Sequence, residues 1–161
     1  MLQRRRGHIV NMASLAGVGP PPFAATYAAT KAGVIGFTRA IRAEYRSRGV
    51  SASAIAPGFV RDAGMFARMA ADTGIRAPAL AGSCTAIEVA RAVIESIDRD
   101  TALTIVNGGP IRLMQAVDAL FPTISDHVLP GLGITELFKK WAEYNARAIA
   151  APAPPSQEKL A

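Results

Sequence analysis

Cysteine is nearly absent from this chain of 161 residues: the one residue present, Cys84, excludes an internal disulfide framework. Histidine is almost as scarce, and His8, His127 and Cys84 nowhere reach metal-ligand spacing, so no metal site is expected. Acidic residues are missing from one end. Residues 1 to 50 carry eight Lys or Arg against the single Glu44, whereas the remainder carries ten against eleven. The net charge of +6 is therefore a local excess. It lacks interleaved aromatics and any helix-turn-helix pattern, which favours a solvated helix face over a nucleic-acid partner. The same charge also suits a phosphate-bearing cofactor. No uninterrupted apolar run reaches the roughly 18 residues that span a membrane. The basic start and apolar run of MLQRRRGHIVNMASLAGVG imitate a secretory signal, but His8, Asn11 and Ser14 interrupt the run. The location expected from these absences is the reducing cytoplasm.

What is present is enough for one domain, since 50% of the residues are hydrophobic. GHIVNMAS, residues 7 to 14, is a short apolar run ending in small polar residues, the pattern of a buried strand that opens onto a loop. The prolines of VGPPPF deny amide donors to a strand or an early helix, so the predicted helix runs from Ala25 to Arg48 and stops at Gly49. Its apolar stripe is Val34, Phe37, Ile41 and Tyr45, with Arg39, Arg42, Arg46 and Arg48 on the remaining surface. VSASAIAPGF reads as a second strand ended by Pro57 and Gly58. Residues 61 to 82 are loosely patterned and predict a long functional loop. TAIEVARAVIESIDRD opens on the capping box Thr85 to Glu88 and carries an apolar stripe at Ile87, Ala90, Val93, Ile94 and Ile97. ALTIVNGG is a third strand, closed by Gly108 and Gly109. This alternation predicts right-handed parallel crossovers and hence an α/β fold. Residues 111 to 150 show helical spacing broken at Pro122 and Pro130; such a helix packs on its own domain more often than on a membrane surface. The final APAPPSQEKLA reads as a disordered tail.

MASLAGVGPPPFAATYAATKAG carries the chemistry. Tyr27 and Lys31 stand four apart on the predicted helix and share one face, and Ser14 at the preceding strand end can converge on the same volume. A phenol is a poor acid–base group at neutral pH, but a nearby ammonium favours its anion. Such a tyrosine can exchange a proton with an alcohol or carbonyl oxygen that a serine hydroxyl holds. Spacing alone does not separate this triad from an ordinary helix that happens to carry Tyr and Lys.

The wider pattern adds to it. A strand-end serine, a tyrosine thirteen residues later, Tyr-x-x-x-Lys on a helix and Pro-Gly after the next strand resemble the short-chain dehydrogenase/reductase family over residues 7 to 60. TAIEVARAVIESI and TIVNGG extend the resemblance to about residue 125. It implies a Rossmann-like doubly wound parallel sheet, an NAD or NADP cofactor, and hydride transfer between a secondary alcohol and a ketone. It implies Tyr27 as catalytic acid–base, Ser14 as the group orienting the substrate oxygen, and Lys31 on the nicotinamide ribose hydroxyls, where it also activates Tyr27. The backbone around Pro57, Gly58 and Val60 would face the nicotinamide carboxamide. Residues 61 to 82 would be the substrate loop, where Met65, Phe66, Met69, Ile75 and Leu80 read either as an apolar substrate surface or as ordinary core.

The family's glycine-rich pyrophosphate turn has no counterpart: GVGPPP runs into proline and GLGITE follows no strand. Its Asn-Asn-Ala-Gly segment is absent too. The expectation is therefore the C-terminal catalytic half of such a domain over residues 1 to 125, with the N-terminal half missing, a helical extension over 126 to 150 and a tail over 151 to 161. Asp62 stands where the family often carries a cofactor-contacting threonine, and an acid there would repel phosphate if turned inward. A half sheet exposes its flank and the apolar face of the Tyr27 helix, which favours a homo-oligomer. Weak or absent activity is expected of the chain by itself. The competing expectation is a non-catalytic interaction or subunit-capping module.

Overall fold

Three strands, β1 (Gly7–Met12), β2 (Val50–Pro57) and β3 (Leu103–Val106), pair in parallel in the order β1-β2-β3. The computed structural model describes residues 1–109, 120 and 133–150. Gly7 to Met12 run beside Val50 to Ile55, and Ala54 to Pro57 beside Leu103 to Val106. All three carboxyl ends therefore lie at one edge of the sheet.

The middle strand is built from small residues. Ala52, Ala54, Ile55 and Ala56 are fully buried, and their short side chains let helices pack closely on the sheet. Ser53 is equally buried, and its hydroxyl is bonded to His8 Nε2 at 2.7 Å and to the Thr101 carbonyl, so no polar group is stranded there. β1 and β3, each with one edge unpaired among the described residues, are half-buried along most of their length.

The first crossover is α1 (Ala25–Tyr45), continued by a single 3-10 turn, Arg46–Arg48, and ended at Gly49 with φ 79. Glycine is required at that position twice over, because a Cβ would also overlap the Arg5 carbonyl. Ile35 and Thr38 are buried against the sheet, and Asn11 Nδ2 donates to Thr38 Oγ1 at 3.0 Å. The second crossover contains α2 (Gly64–Thr73), a 3-10 turn at Ala79–Ala81, and α3 (Ala86–Asp98). The last described element is α4 (Ile134–Ala150).

Three sequence expectations change. Residues 61 to 82 do not form a patternless loop: α2 lies there, because Phe66 and Met69 are three apart and bury against Leu137 of α4. Its start was hidden, since Ala63 offers no side-chain cap and Gly64 lies at φ 77. On α3 the predicted stripe turns outward: Ile87 and Ile94 are 58% and 59% exposed, while Ala92 and Ser96 are buried, because the sheet admits only small residues at close range. Finally, Arg42 and Arg46 are not merely solvated. Arg42 Nη1 and Nη2 reach the Asp100 carboxylate and carbonyl, both at 2.6 Å, and Arg46 Nε reaches the same carboxylate at 3.0 Å. With Ser51 Oγ also donating, the Arg42 and Ser51 bonds hold the Asp100 carboxyl at about 2, well below its usual value. This network ties α1, β2 and the turn after α3 together at the amino end of the sheet, opposite the carboxyl edge.

Among the described residues no helix is long and apolar enough to cross a membrane. The breaks expected at Pro122 and Pro130, and the tail from 151 to 161, lie outside the described residues.

Candidate active site

β1 gives way at the carboxyl edge to a tight turn. Ala13 N–H bonds the Ile55 carbonyl at 2.7 Å, extending the ladder by one residue, and Ser14 follows in extended geometry. Ser14 Oγ accepts from Ala16 N–H at 3.2 Å and so starts the turn Leu15–Gly17. Gly17 rests directly on α1. A Cβ there would stand 2.6 Å from Lys31 C and 2.7 Å from Ala32 N. The serine-bearing turn is thus seated by backbone contact on the helix that carries the lysine.

The chain enters α1 through Phe23, whose φ of 60 is strained for a bulky side chain, and Ala24 gives no side-chain cap. Tyr27 occupies the first turn of α1, where the helix dipole favours negative charge. Lys31 lies one turn further on. Its Nζ donates to the Met12 carbonyl at 3.2 Å and lies 5.8 Å from the Tyr27 ring centroid. An ammonium has three donors, so this tether leaves others to offer. The end of β1 thus carries Ser14, and the first two turns of α1 carry Tyr27 and Lys31, of which Lys31 reaches back to the strand end at Met12. Among the described residues Ser14 and Tyr27 do not hydrogen-bond to each other.

The end of β2 supplies the second rim of the site. Gly58 N–H bonds the Val106 carbonyl at 3.0 Å, and a Cβ on Gly58 would overlap the Asn107 side chain. Asn107 Nδ2 donates to the Ala81 carbonyl at 2.8 Å, linking β3 to the turn before α3. Sequence reasoning did not single out Asn107 or Gly17; Asn-Gly-Gly after a strand and Ser-x-x-Gly after another were the available signals. Val60 pairs with Cys84 in a short parallel bridge, which carries the backbone after Pro57 away from the sheet. Burial pushes the Cys84 thiol up. Asp62 Oδ1 accepts from Ala86 N–H at 2.8 Å, so the carboxylate caps α3 beside the Thr85–Glu88 capping box.

An open cavity of about 460 Å³ adjoins Tyr27, lined chiefly by Phe23, Thr26, Met65, Phe138 and Trp141. The two readings of the 61 to 82 side chains divide here. Met65 faces the cavity, whereas Phe66 and Met69 are buried core and Ile75 packs against them. Phe138 and Trp141 come from α4 and were not anticipated; their spacing with Leu137 and Tyr144 is the amphipathic pattern that carried the signal.

Comparison with known proteins places this geometry. Residues 1–74 match the family model described as short chain dehydrogenase. The chain is 40% identical over 148 residues to the ketoacyl reductase HetN of Nostoc, covering 89% of this chain and 50% of that protein. It is 50% identical over 60 residues to a 3-oxoacyl-[acyl-carrier-protein] reductase of Synechocystis, covering 37% of this chain and 24% of the relative. An oxidoreductase of the short chain dehydrogenase/reductase family from Burkholderia thailandensis superposes with TM-score 0.58 at 27% identity, covering 74% of this chain and 52% of that one. The NADP-bound structure of ElxO superposes with TM-score 0.59 at 22% identity, over 67% of this chain and 48% of that one, and speaks for the fold. The chain is similar to short-chain dehydrogenases over its first 74 residues, and its α/β sheet has the Rossmann-like fold of these oxidoreductases. It spans at most about half the length of the curated relatives it matches.

Proposed function

We infer that this chain carries the proton-handling part of an NAD- or NADP-dependent oxidoreductase that interconverts a secondary alcohol and a ketone. The observation that carries the reading is the Lys31 ammonium, tethered to the Met12 carbonyl beside the Tyr27 ring at the mouth of an apolar cavity. In the reducing direction Tyr27 gives its phenolic proton to the carbonyl oxygen, which the Ser14 hydroxyl holds by a hydrogen bond. Lys31 Nζ stands 5.8 Å from the ring centroid of the Tyr27 that gives up the proton. Hydride to the carbonyl carbon is what a nicotinamide supplies when bound.

The residues present fit that cofactor. Lys31 has donors left for ribose hydroxyls, Tyr27 stands beside it, and the backbone from Pro57 through Gly58 to Val60 rims the same edge. Asp62 Oδ1 is turned to the Ala86 N–H at the start of α3. The glycine-rich pyrophosphate turn is not among these residues.

The cavity wall favours a substrate with an apolar body, and the relatives' names favour a 3-oxoacyl group as the ketone. The outward isoleucines of α3, and the edges of β1 and β3 that are unpaired among the described residues, suit burial in a homo-oligomer. The same exposed surfaces favour the second reading, a non-catalytic interaction module. The test is Tyr27→Phe, assayed by oxidation of NADH or NADPH with a 3-oxo ester. A loss of at least about 100-fold in turnover with unchanged circular dichroism is expected. Full activity in that variant removes the assigned role, and a wild-type chain that binds neither NADH nor NADPH yet forms a defined complex shifts the reading to the interaction module.

A further inference from the structure

Among the described residues, three other than glycine lie at positive φ, and one of them, Phe23 at φ 60, stands four residues before Tyr27. The left-handed region penalises a bulky side chain, and strain of this kind persists where it serves something other than the fold.

The fold itself gains little from the ring. Phe23 is 58% exposed, belongs to neither buried cluster and pairs with no other aromatic ring among the described residues. A hydrophobic staple from this position would pack on Ala28, yet Ala28 is buried while Phe23 is not. Strain and exposure are thus two separate costs at one residue.

What Phe23 does face is the cavity beside Tyr27. It lines that cavity with Met65 of α2 and Phe138 of α4, while Thr26 and Asn145 add polar groups to the wall and Tyr27 belongs to the same lining. Met65 is itself 46% exposed. A ligand whose oxygen meets Tyr27 therefore has two uncovered apolar side chains beside it, and their burial under an apolar tail stabilises the complex.

We propose that Phe23 is a specificity residue: its left-handed backbone turns the ring onto the cavity, where it covers the apolar tail of the substrate, so the chain selects long-tailed ketones over short ones. This rests on the cavity being the substrate site of the oxidoreductase proposed above.

The single tryptophan, Trp141, lines the same cavity, so its fluorescence reads binding to the whole chain. The probes are methyl 3-oxodecanoate and methyl 3-oxobutanoate, which share the reacting keto ester and differ only in tail length. The wild-type chain should bind the long ester at least about tenfold more tightly. Phe23→Asn removes the ring and keeps a residue that tolerates positive φ. It should lower that preference about fivefold without lowering the melting temperature. Phe23→Tyr, which keeps the ring, should keep the preference. Where cofactor oxidation is measured, the loss in Phe23→Asn should appear in KM for the long ester rather than in kcat. A wild-type chain that binds the two esters alike or binds neither, or a preference that survives in Phe23→Asn, overturns the proposal. A lower melting temperature in Phe23→Asn does so too, since the ring would then serve the fold. A chain that shows the Phe23-dependent preference but oxidises neither NADH nor NADPH with either ester refutes the oxidoreductase reading while leaving this one standing.

Discussion

Gly17→Ala tests whether the serine-bearing turn is positioned by backbone contact with α1. The added Cβ would stand 2.6 Å from Lys31 C, 2.7 Å from Ala32 N and 2.8 Å from Lys31 O, against 3.4–4 Å for ordinary contact. All three atoms are main chain in a helix, so no side chain can rotate aside. The turn has to withdraw by roughly 1 Å, and overpacking of this kind costs about 1–3 kcal/mol. For a chain of this size that lowers the melting temperature by about 3 to 10 °C. Ser14 begins the same turn, and a displacement of about 1 Å in a positioning group can cost up to about 100-fold in rate. Gly36→Ala is the control, because nothing lies within 4 Å of a Cβ at Gly36 on the exposed face of α1. It should raise stability by about 0.5–1 kcal/mol through helix propensity. Circular dichroism melts and ketone-dependent cofactor oxidation read both variants. A Gly17→Ala chain that melts and turns over like wild type refutes the seating argument.

Acid should expose the Asp100 network. Its carboxyl is held at about 2, below the ordinary 3.8, so its contribution is present above pH 4 and is lost as pH falls from about 4 through 2. Because the side chain is about one-third exposed, solvent screening reduces that contribution to about 1 kcal/mol. Asp100→Asn should therefore be less stable at pH 7 and lose less on acidification; urea melts at pH 7, 4 and 2.5 with parallel slopes would contradict this. Cys84, buried and with its thiol pushed up, should resist iodoacetamide in the native chain and react when urea unfolds it. Rapid native alkylation, read by mass spectrometry, would show that the bridge between Val60 and Cys84 opens readily.

The strand-helix rhythm was legible because it depends on local signals. The prolines before Ala25, the glycine at 49 and the Thr85–Glu88 box all mark ends that the backbone obeys. The Tyr27–Lys31 pair was legible for the same reason, since four residues on a helix fix a shared face. What escaped was decided by tertiary contact. Arg42 looks like surface charge until Asp100, 58 residues on, folds back to it. The isoleucines of α3 look like core, yet the close approach of α3 to a sheet of alanines selects Ala92 and Ser96 instead. α2 lacks a cap and buries Phe66 and Met69 partly against Leu137 of α4, some 70 residues later in the chain, a contact that no local pattern announces.

The two sides of the site rest on supports of different stiffness. Ser14 and Lys31 are placed by main-chain atoms: Gly17 on the α1 backbone, and the Met12 carbonyl under the ammonium. The opposite wall, Met65 with Phe138 and Trp141, is placed by side-chain packing of α2 on α4. Cores of this kind accept hydrophobic exchange at a cost below about 1.5 kcal/mol, whereas a main-chain contact has no alternative packing. Substitutions in the α2–α4 wall should accordingly redistribute affinity among substrates and spare the proton transfer. Substitutions under the Ser14 turn should act on the chemistry for every substrate alike, which is the division expected of a site whose catalytic groups belong to the sheet edge and whose selectivity belongs to the helices packed over it.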